Sequence, residues 1–149
     1  METKEAIIHY CRYQERCHSE VKTKLYELGC TKITEDEYML MLLQMDLLNE
    51  ERFARSFARG KFNLLKWGKV KIKQQLKFRK ISDYLINKAL TEIDSVRYEH
   101  IIRQLAERKL HELRNEKALQ SKKLKLFRYL IQKGFERDIV SSIVSEFVE

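Results

Sequence analysis

Proline is absent from this chain of 149 residues, and glycine occurs only four times, at Gly29, Gly60, Gly68 and Gly134. Because proline and glycine break helices and supply the tight turns of hairpins, few positions interrupt a helix or support a hairpin. Strand-like alternation of apolar and polar residues is also missing, whereas apolar residues recur at intervals of three and four. These absences predict an all-α fold.

Long apolar runs are missing as well. No segment approaches the roughly 20 apolar residues that cross a bilayer, and residues 1–5 lack the basic-then-apolar order of a signal peptide. Apolar residues make up 44% of the chain, enough for a core, while charged residues make up 35% and keep the surface ionic. We therefore expect a soluble, cytoplasmic protein with no membrane partner.

Cysteine is scarce, with Cys11, Cys17 and Cys30 confined to the first fifth of the chain. An odd and clustered set is a poor disulfide framework and is typical of buried or idle thiols. His9 and His18 lie nearby, but the spacing matches no zinc pattern, and helical packing explains the small thiols without a metal. We expect no metal and no other cofactor.

Capping residues and apolar periodicity together predict nine helices. The predicted starts include Ser19, a capping box of Thr34 and Glu37, Asn49, Ser82, Ser95 and Ser121. The helices are predicted to run approximately over 4–16, 19–28, 35–47, 50–66, 69–79, 83–92, 96–115, 118–133 and 137–148.

An internal repeat divides these helices into three groups. Val21, Leu25, Gly29 and Cys30 are matched 51 residues later by Ile72, Leu76, Lys80 and Ile81, and a further 54 residues on by Leu126, Leu130, Gly134 and Phe135. The predicted repeats are three-helix bundles covering 1–48, 49–94 and 95–149. Because bundles of this size are marginal alone, we expect them to share interfaces in an elongated, curved molecule. Their helix-turn-helix-like arrangement favours plain packing over base readout.

Charge of one sign dominates a single stretch, because residues 52–80 contain eleven lysines and arginines and no acid. Solvated helix faces normally interleave acids with bases, so this stretch predicts a surface that binds a polyanion. Its aromatic residues are expected to pack as apolar anchors for the cations; they are Phe53, Phe57, Phe62, Trp67 and Phe78.

The candidate binding residues lie in this stretch and in a second cationic group near the end of the chain. The first set is Arg55, Arg59, Lys61, Lys66, Trp67, Lys69, Lys71, Lys73, Lys77, Arg79 and Lys80. The second set is Lys122, Lys123, Lys125 and Arg128, and Lys133 and Arg137 belong to the same cationic group. On a helix, Lys69, Lys73, Lys77 and Lys80 form a stripe beside an apolar stripe of Ile72 and Leu76. Trp67 either stacks on an unpaired base or fills the junction between two helices.

Two motifs resemble the signature of RecX-type regulatory proteins. Residues 47–54 read LLNEERFA, and residues 68–72 read GKVKI with Leu76 following. The chain departs from the family pattern at Asn49 and Glu50, where aspartates are usual, and at Lys80, where the other repeats have glycine. The resemblance implies a non-enzymatic regulator that binds the RecA recombinase and its filament on single-stranded DNA and restrains the recombinase.

Two other functions remain open from the residues alone. One is a DNA-binding module, for single-stranded or double-stranded DNA, that acts without a recombinase, and the other is a structural helical-repeat scaffold. Enzyme chemistry finds little support, because the sequence shows no phosphate-cradling glycine loop and no local set of nucleophile, base and orienting group. A monomer is expected, since no heptad seam is long enough to demand a coiled coil.

Overall fold

The computed structural model describes residues 2–149 and, within them, nine α-helices and no strand. The helices are α1 (Thr3–Tyr13), α2 (His18–Glu27), α3 (Lys32–Gln44), α4 (Glu50–Leu65), α5 (Lys69–Phe78), α6 (Asp83–Leu90), α7 (Ser95–Glu112), α8 (Leu119–Lys133) and α9 (Arg137–Phe147). The predicted all-α class is confirmed, and each helix boundary lies within three residues of its prediction. Across residues 2–149, no helix combines the length and apolar character that a membrane span requires.

Two of the predicted helix caps are confirmed. The side-chain oxygen of Asn49 accepts the N–H of Arg52 at 3.0 Å at the start of α4. At the start of α6, the Ser82 hydroxyl oxygen accepts the N–H of Leu85 at 3.3 Å. Each bond satisfies an N–H that has no partner within its helix.

Four other predicted starts are wrong, because an earlier residue opens the helix. Thr31, not Thr34, caps α3, and Asp94, not Ser95, caps α7. The helix predicted from Ser19 begins after Cys17, whose own N–H donates to the Glu20 carboxylate at 3.1 Å. The helix predicted from Ser121 begins after Ala118, which provides no side-chain cap. In each case the observed start lies one to three residues before the predicted one.

The internal repeat is visible in the backbone, because the second helix of each repeat ends in the same turn. Gly29, Lys80 and Gly134 all have left-handed backbone conformations, with φ of 86°, 64° and 99°. The next N–H in each case bonds to the carbonyl five residues back, from Cys30 to Leu25, from Ile81 to Leu76 and from Phe135 to Leu130. This is the Schellman motif, which needs a left-handed residue at its centre. Lys80 therefore accepts a conformation that usually belongs to glycine.

The chain forms two compact units. The N-terminal unit contains the chain up to Phe57 together with Gln75–Ala89, and the C-terminal unit contains Ala58–Gln74 and Leu90–Glu149. One core cluster of the N-terminal unit consists of Ile7, Cys11, Val21, Leu25, Met39, Leu42 and Leu48. The C-terminal unit buries residues including Ile102, Leu105, Leu126, Leu130, Phe135 and Val140. The division into repeats at 1–48, 49–94 and 95–149 stays a prediction.

The thiols of Cys11 and Cys17 are buried, as expected, and Cys30 is half-buried. Burial raises the pKa of the Cys11 thiol to about 11, so this thiol is protonated at neutral pH. A protonated, buried thiol is a small apolar packing group and a poor nucleophile.

The turn at Lys80 provides a test of its stability cost. We expect Lys80→Gly to raise the free energy of unfolding by about 1 kcal/mol, because glycine adopts left-handed conformations without a Cβ penalty. For a chain of this size the melting midpoint should rise by about 2 to 4 °C. The matched reverse change is Gly29→Lys, where an added Cβ meets nothing within 4 Å, and it should lower the midpoint by a similar amount.

Thermal denaturation followed by circular dichroism measures both changes. A lower midpoint for Lys80→Gly would contradict the prediction and would show that the lysine stabilises the turn as a cation at the negative end of the α5 dipole. The affinity of the same variant for DNA separates a binding role of Lys80 from a role in the turn.

Candidate nucleic-acid interface

Within the C-terminal unit, backbone contacts fix the start of α5 against the end of α8. The N–H of Gly68 donates to the carbonyl of Lys133 at 2.8 Å, and the N–H of Val70 donates to the carbonyl of Gly134 at 2.9 Å. A Cβ added at Gly68 would overlap the Gly134 carbonyl group, so the two backbones approach too closely for any other residue. This approach also places the backbone and Cβ of Lys71 against Gly134.

A buried tyrosine secures the same junction. The hydroxyl of Tyr98 on α7 accepts the N–H of Lys69 at 2.9 Å and donates to the carboxylate of Glu136. Burial, with this bond to Glu136, raises the pKa of Tyr98, so the hydroxyl remains a donor at neutral pH. Three consecutive N–H groups at the start of α5 therefore bond inside the protein. These three N–H groups are therefore not available to an anion at this helix end.

Tyr98→Phe should lower the free energy of unfolding by about 1 to 3 kcal/mol, because it leaves the buried Lys69 N–H without an acceptor. The ring itself stays packed against Phe62 and Phe135, at centroid distances of 5.7 and 5.3 Å. Chemical denaturation measures the change, with Tyr26→Phe as the control, because the Tyr26 side chain is 80% exposed. Equal stability of the two variants would show that the hydrogen bonds of the Tyr98 hydroxyl make no net contribution to the free energy of unfolding.

Four cations converge beside this junction, and we call Lys66, Lys71, Arg108 and Lys133 the cation cluster. The pKa of Lys133 is lowered, first by burial and then by the positive charges of Lys71, Arg108 and Lys66. Among residues 2–149, no carboxylate lies within ion-pair distance of any of the four. The cluster is therefore a set of like charges that the fold leaves uncompensated.

Two members of the cluster also have a structural role at the end of α4. The ammonium group of Lys133 donates to the Leu65 carbonyl at 3.0 Å, and that of Lys66 donates to the Asn63 carbonyl at 2.9 Å. Cations commonly satisfy the last carbonyls of a helix in this way. The helix end does not explain Lys71 and Arg108, so a role in anion binding rests mainly on these two residues.

A bound phosphate would relieve the repulsion within the cation cluster. Like charges held close together raise the local concentration of anions, and the effect is strongest where part of the site is shielded from water. Nucleic-acid backbones and acidic protein surfaces both supply such anions. The arrangement can bind and orient an anionic partner.

Trp67 lies next to the cation cluster and is half-buried. The ammonium nitrogens of Lys61 and Lys71 lie 5.1 and 4.5 Å from the centre of its ring, within the range of cation–π attraction. A base that stacks on this face of the ring has to displace a lysine. Stacking on Trp67 therefore stays a prediction, and the contacts show that the ring already orients two candidate cations.

Several predicted candidates form ion pairs within their own unit. These pairs are Arg55 with Glu51 at 3.2 Å, Arg59 with Glu92 at 3.3 Å, Lys77 with Asp83 at 3.5 Å, Arg79 with Glu20 at 3.7 Å and Lys125 with Glu116 at 2.6 Å. Arg52 is likewise paired, with Glu15 and Asp46. The acid-free stretch thus receives carboxylates from just outside its ends, such as Glu51 and Asp83, and from distant segments, such as Glu20 and Glu92. Its available charge is smaller than the sequence suggests.

Lys69, Lys73, Lys80, Lys122, Lys123 and Arg128 have no ion pair among residues 2–149. Lys73, Lys80 and Arg128 are exposed, Lys122 and Lys123 are half-buried, and the ammonium nitrogen of Lys69 lies 4.8 Å from the centre of the Tyr98 ring. The predicted lysine stripe is wrong at its end, because α5 stops at Phe78 and Lys80 lies beyond it in a left-handed turn.

The predicted aromatic anchors divide into two groups. Phe53 and Phe62 are buried as predicted, at 5% and 2% exposure, and Phe57 and Trp67 are half-buried. Phe78 is 81% exposed, so the prediction that it packs is wrong. Its ring is open to solvent at the end of the most basic helix.

Sequence reasoning missed Arg108 and left Lys133 outside the candidate set. Arg108 stands among alternating acids and bases, which is the pattern of an ordinary solvated face. Its charge acts on Lys133, which lies 25 residues further along the chain. Nothing in the local pattern distinguishes it from its neighbours.

Known proteins are similar to this chain in sequence and in fold. A family model described as the second three-helix domain of RecX matches residues 49–90, and one described as its third three-helix domain matches residues 98–144. A protein of Clostridium perfringens (strain SM101 / Type A) named Regulatory protein RecX is 31% identical over 130 residues, which is 87% of this chain and 60% of that protein. The protein of the same name from Lactococcus lactis subsp. lactis (strain IL1403) is 30% identical over 148 residues, 98% of this chain and 54% of its own.

The chain therefore spans between half and two thirds of the length of these relatives. The crystal structure of RecX from Lactobacillus salivarius has a TM-score of 0.83 and 28% identity, covering 96% of this chain and 92% of that chain. Together these comparisons confirm the expected resemblance and the tandem three-helix repeats.

Proposed function

This chain belongs to the RecX family of regulatory proteins, and from that premise we propose that it binds a RecA-type recombinase, or its filament on single-stranded DNA, and restrains the recombinase. The regulation is by binding, without chemistry of its own. We also propose that the protein acts in the cytoplasm. It would bind as a monomer to a filament that contains both protein and DNA.

The cation cluster is the observation that supports this proposal most directly. A filament on single-stranded DNA presents phosphates along its length, and the cluster presents four cations that no carboxylate of residues 2–149 neutralises. The half-buried Trp67 beside it holds Lys61 and Lys71 over its ring, so it orients cations toward a bound strand.

The test is DNA-dependent ATP hydrolysis by the cognate recombinase on single-stranded DNA, with this protein added from far below to near equimolar amounts. We expect inhibition at substoichiometric amounts, because one molecule that blocks growth affects many recombinase subunits. Unchanged hydrolysis at parity would contradict the proposal.

The second candidate is a DNA-binding protein that acts without a recombinase, and the uncompensated cation cluster favours it as well. A protein that neutralises about six phosphates on duplex DNA should weaken roughly a thousandfold between about 50 and 200 mM salt. Tight, salt-sensitive binding to naked DNA without any effect on the recombinase would support this candidate. Inhibition that persists at higher salt would favour the filament regulator.

A further inference from the structure

An open groove in the N-terminal unit contains the most exposed aromatic ring of the basic stretch. The groove has a volume of about 730 Å³. It is lined by Phe78 at the end of α5, by Arg79 and Lys80 just after it, and by Lys22, Lys24 and Glu27 on α2. Phe78 is 81% exposed. Single exposed apolar residues are common on proteins, so exposure alone indicates nothing.

The internal repeat shows that the fold does not require this ring. Phe78 corresponds to Glu27 in the first repeat and to Gln132 in the third, and both of these are exposed polar residues. The same turn departs from the repeat a second time, since Lys80 replaces the glycine found at Gly29 and Gly134. Phe78 exposes apolar surface to water, and Lys80 adopts a strained left-handed backbone conformation. Two unfavourable choices in one turn are typical of a functional site.

The charges of the groove favour an anionic ligand. Of its three acids, Glu20 pairs with Arg79 at 3.7 Å and Glu50 accepts the N–H of His18 at 3.0 Å, whereas the exposed Glu27 has no ion pair among residues 2–149. The exposed Lys22 and Lys80 have no ion pair among residues 2–149. The groove therefore combines an open aromatic ring with two unpaired ammonium groups and one unpaired carboxylate, which leaves an excess of positive charge.

We propose that Phe78 is a stacking platform for an unpaired base of single-stranded nucleic acid, with Lys80 and Lys22 binding the adjacent phosphates. An exposed ring flanked by cations is the combination that single-strand-binding proteins use, because every base presents a π-face and every nucleotide a phosphate. This inference rests on the proposed function only in taking single-stranded DNA as the ligand. It is tested without a recombinase.

The experiment compares the unchanged protein and Phe78→Ala on two fluorescent strands of equal length, one of thymidylates and one of abasic sites. Loss of stacking should weaken binding to the thymidylate strand about tenfold. Binding to the abasic strand should be unchanged, since it offers phosphates without bases. Phe78→Trp should retain binding and Phe78→Leu should not, because stacking needs a ring and not merely apolar volume.

Leu64→Ala is the matched control, because Leu64 is also 81% exposed and lies in the same acid-free stretch. It should bind both strands as the unchanged protein does. Equal effects of Phe78→Ala on the two strands, or none on either, would overturn the proposal. The proposal would also be overturned if Phe78→Ala binds both strands normally but inhibits the recombinase less well. That result would show that the ring contacts the recombinase and not a base. If Phe78→Ala weakens binding only to the thymidylate strand, and the unchanged protein does not inhibit the recombinase, the stacking site is supported and the proposed function is contradicted.

Discussion

Gly68→Ala is expected to lower the free energy of unfolding by about 3 to 5 kcal/mol, a large part of the stability of a small protein. The added methyl group would overlap the backbone of Gly134 and Phe135, which cannot move aside as a flexible side chain would. Separating the two backbones also breaks the bonds from the Gly68 and Val70 N–H groups, at about 1 kcal/mol each. For a chain of this size the melting midpoint should fall by about 10 °C or more.

The four glycines supply matched controls, because they differ independently in backbone strain and in available space. Gly60 lies in a helix with nothing within 4 Å of an added Cβ, so Gly60→Ala should stabilise the protein by about 0.5 to 1 kcal/mol. Gly29 also has open space but a φ of 86°, so Gly29→Ala should cost about 1 kcal/mol. Gly134 combines a φ of 99° with overlap against Lys71, and its alanine variant should be the least stable.

Chemical denaturation of the four alanine variants measures this order. Gly68→Ala with the same stability as Gly29→Ala would show that α5 can shift away from α8 at little cost, contradicting the packing described above. The order matters for function as well, because the Gly68 and Gly134 contact is what brings Lys71 to Lys133. A variant that folds with this junction loosened should also bind anions less well.

The helices were predictable because their signals are local. Apolar spacing and caps such as Asn49 and Ser82 act within one or two turns, so a short window of sequence contains most of the information. The repeat was predictable for a related reason, since Leu25, Leu76 and Leu130 occupy the same position in three similar turns. The errors at Ser19 and Ser95 are errors of a residue or two, where neighbouring side chains compete for one role.

The site was less predictable because its charges combine over long distances in the chain. The acid-free stretch acquires Glu20, Glu92 and Asp83 as ion-pair partners only when the chain folds. Arg108 joins the cation cluster from a segment that looks ordinary in the sequence. Counting charges along the sequence identifies the basic region. It does not show which of its cations lack a carboxylate partner in the folded protein.

Lys71→Gln with Arg108→Gln is expected to weaken binding to single-stranded DNA by about 25-fold near 0.1 M salt, if each residue neutralises one phosphate. Each lost contact removes roughly 0.7 of a released counterion, which is about fivefold in affinity at that salt. The slope of log affinity against log salt should become shallower by roughly 1.4. Inhibition of the recombinase should require correspondingly more protein.

A matched control removes the same charge from elsewhere in the C-terminal unit. Arg103 is paired with Glu99 and Glu146, and Lys125 is paired with Glu116, so both are compensated. Arg103→Gln with Lys125→Gln changes the net charge equally and should leave the salt slope nearly unchanged. Equal losses in the two double variants would show that overall charge, and not the cation cluster, determines binding.

Stability measurements on the same proteins separate a loss of binding from a loss of fold. Removing two cations from the cluster relieves the repulsion that lowers the pKa of Lys133, and this gain offsets the loss of the Lys71 contact with the Trp67 ring, so Lys71→Gln with Arg108→Gln should be about as stable as the unchanged protein or more so. A surface selected only for stability would place acids beside these four cations. Weaker binding in a more stable protein would therefore indicate that the uncompensated charge is kept for a partner.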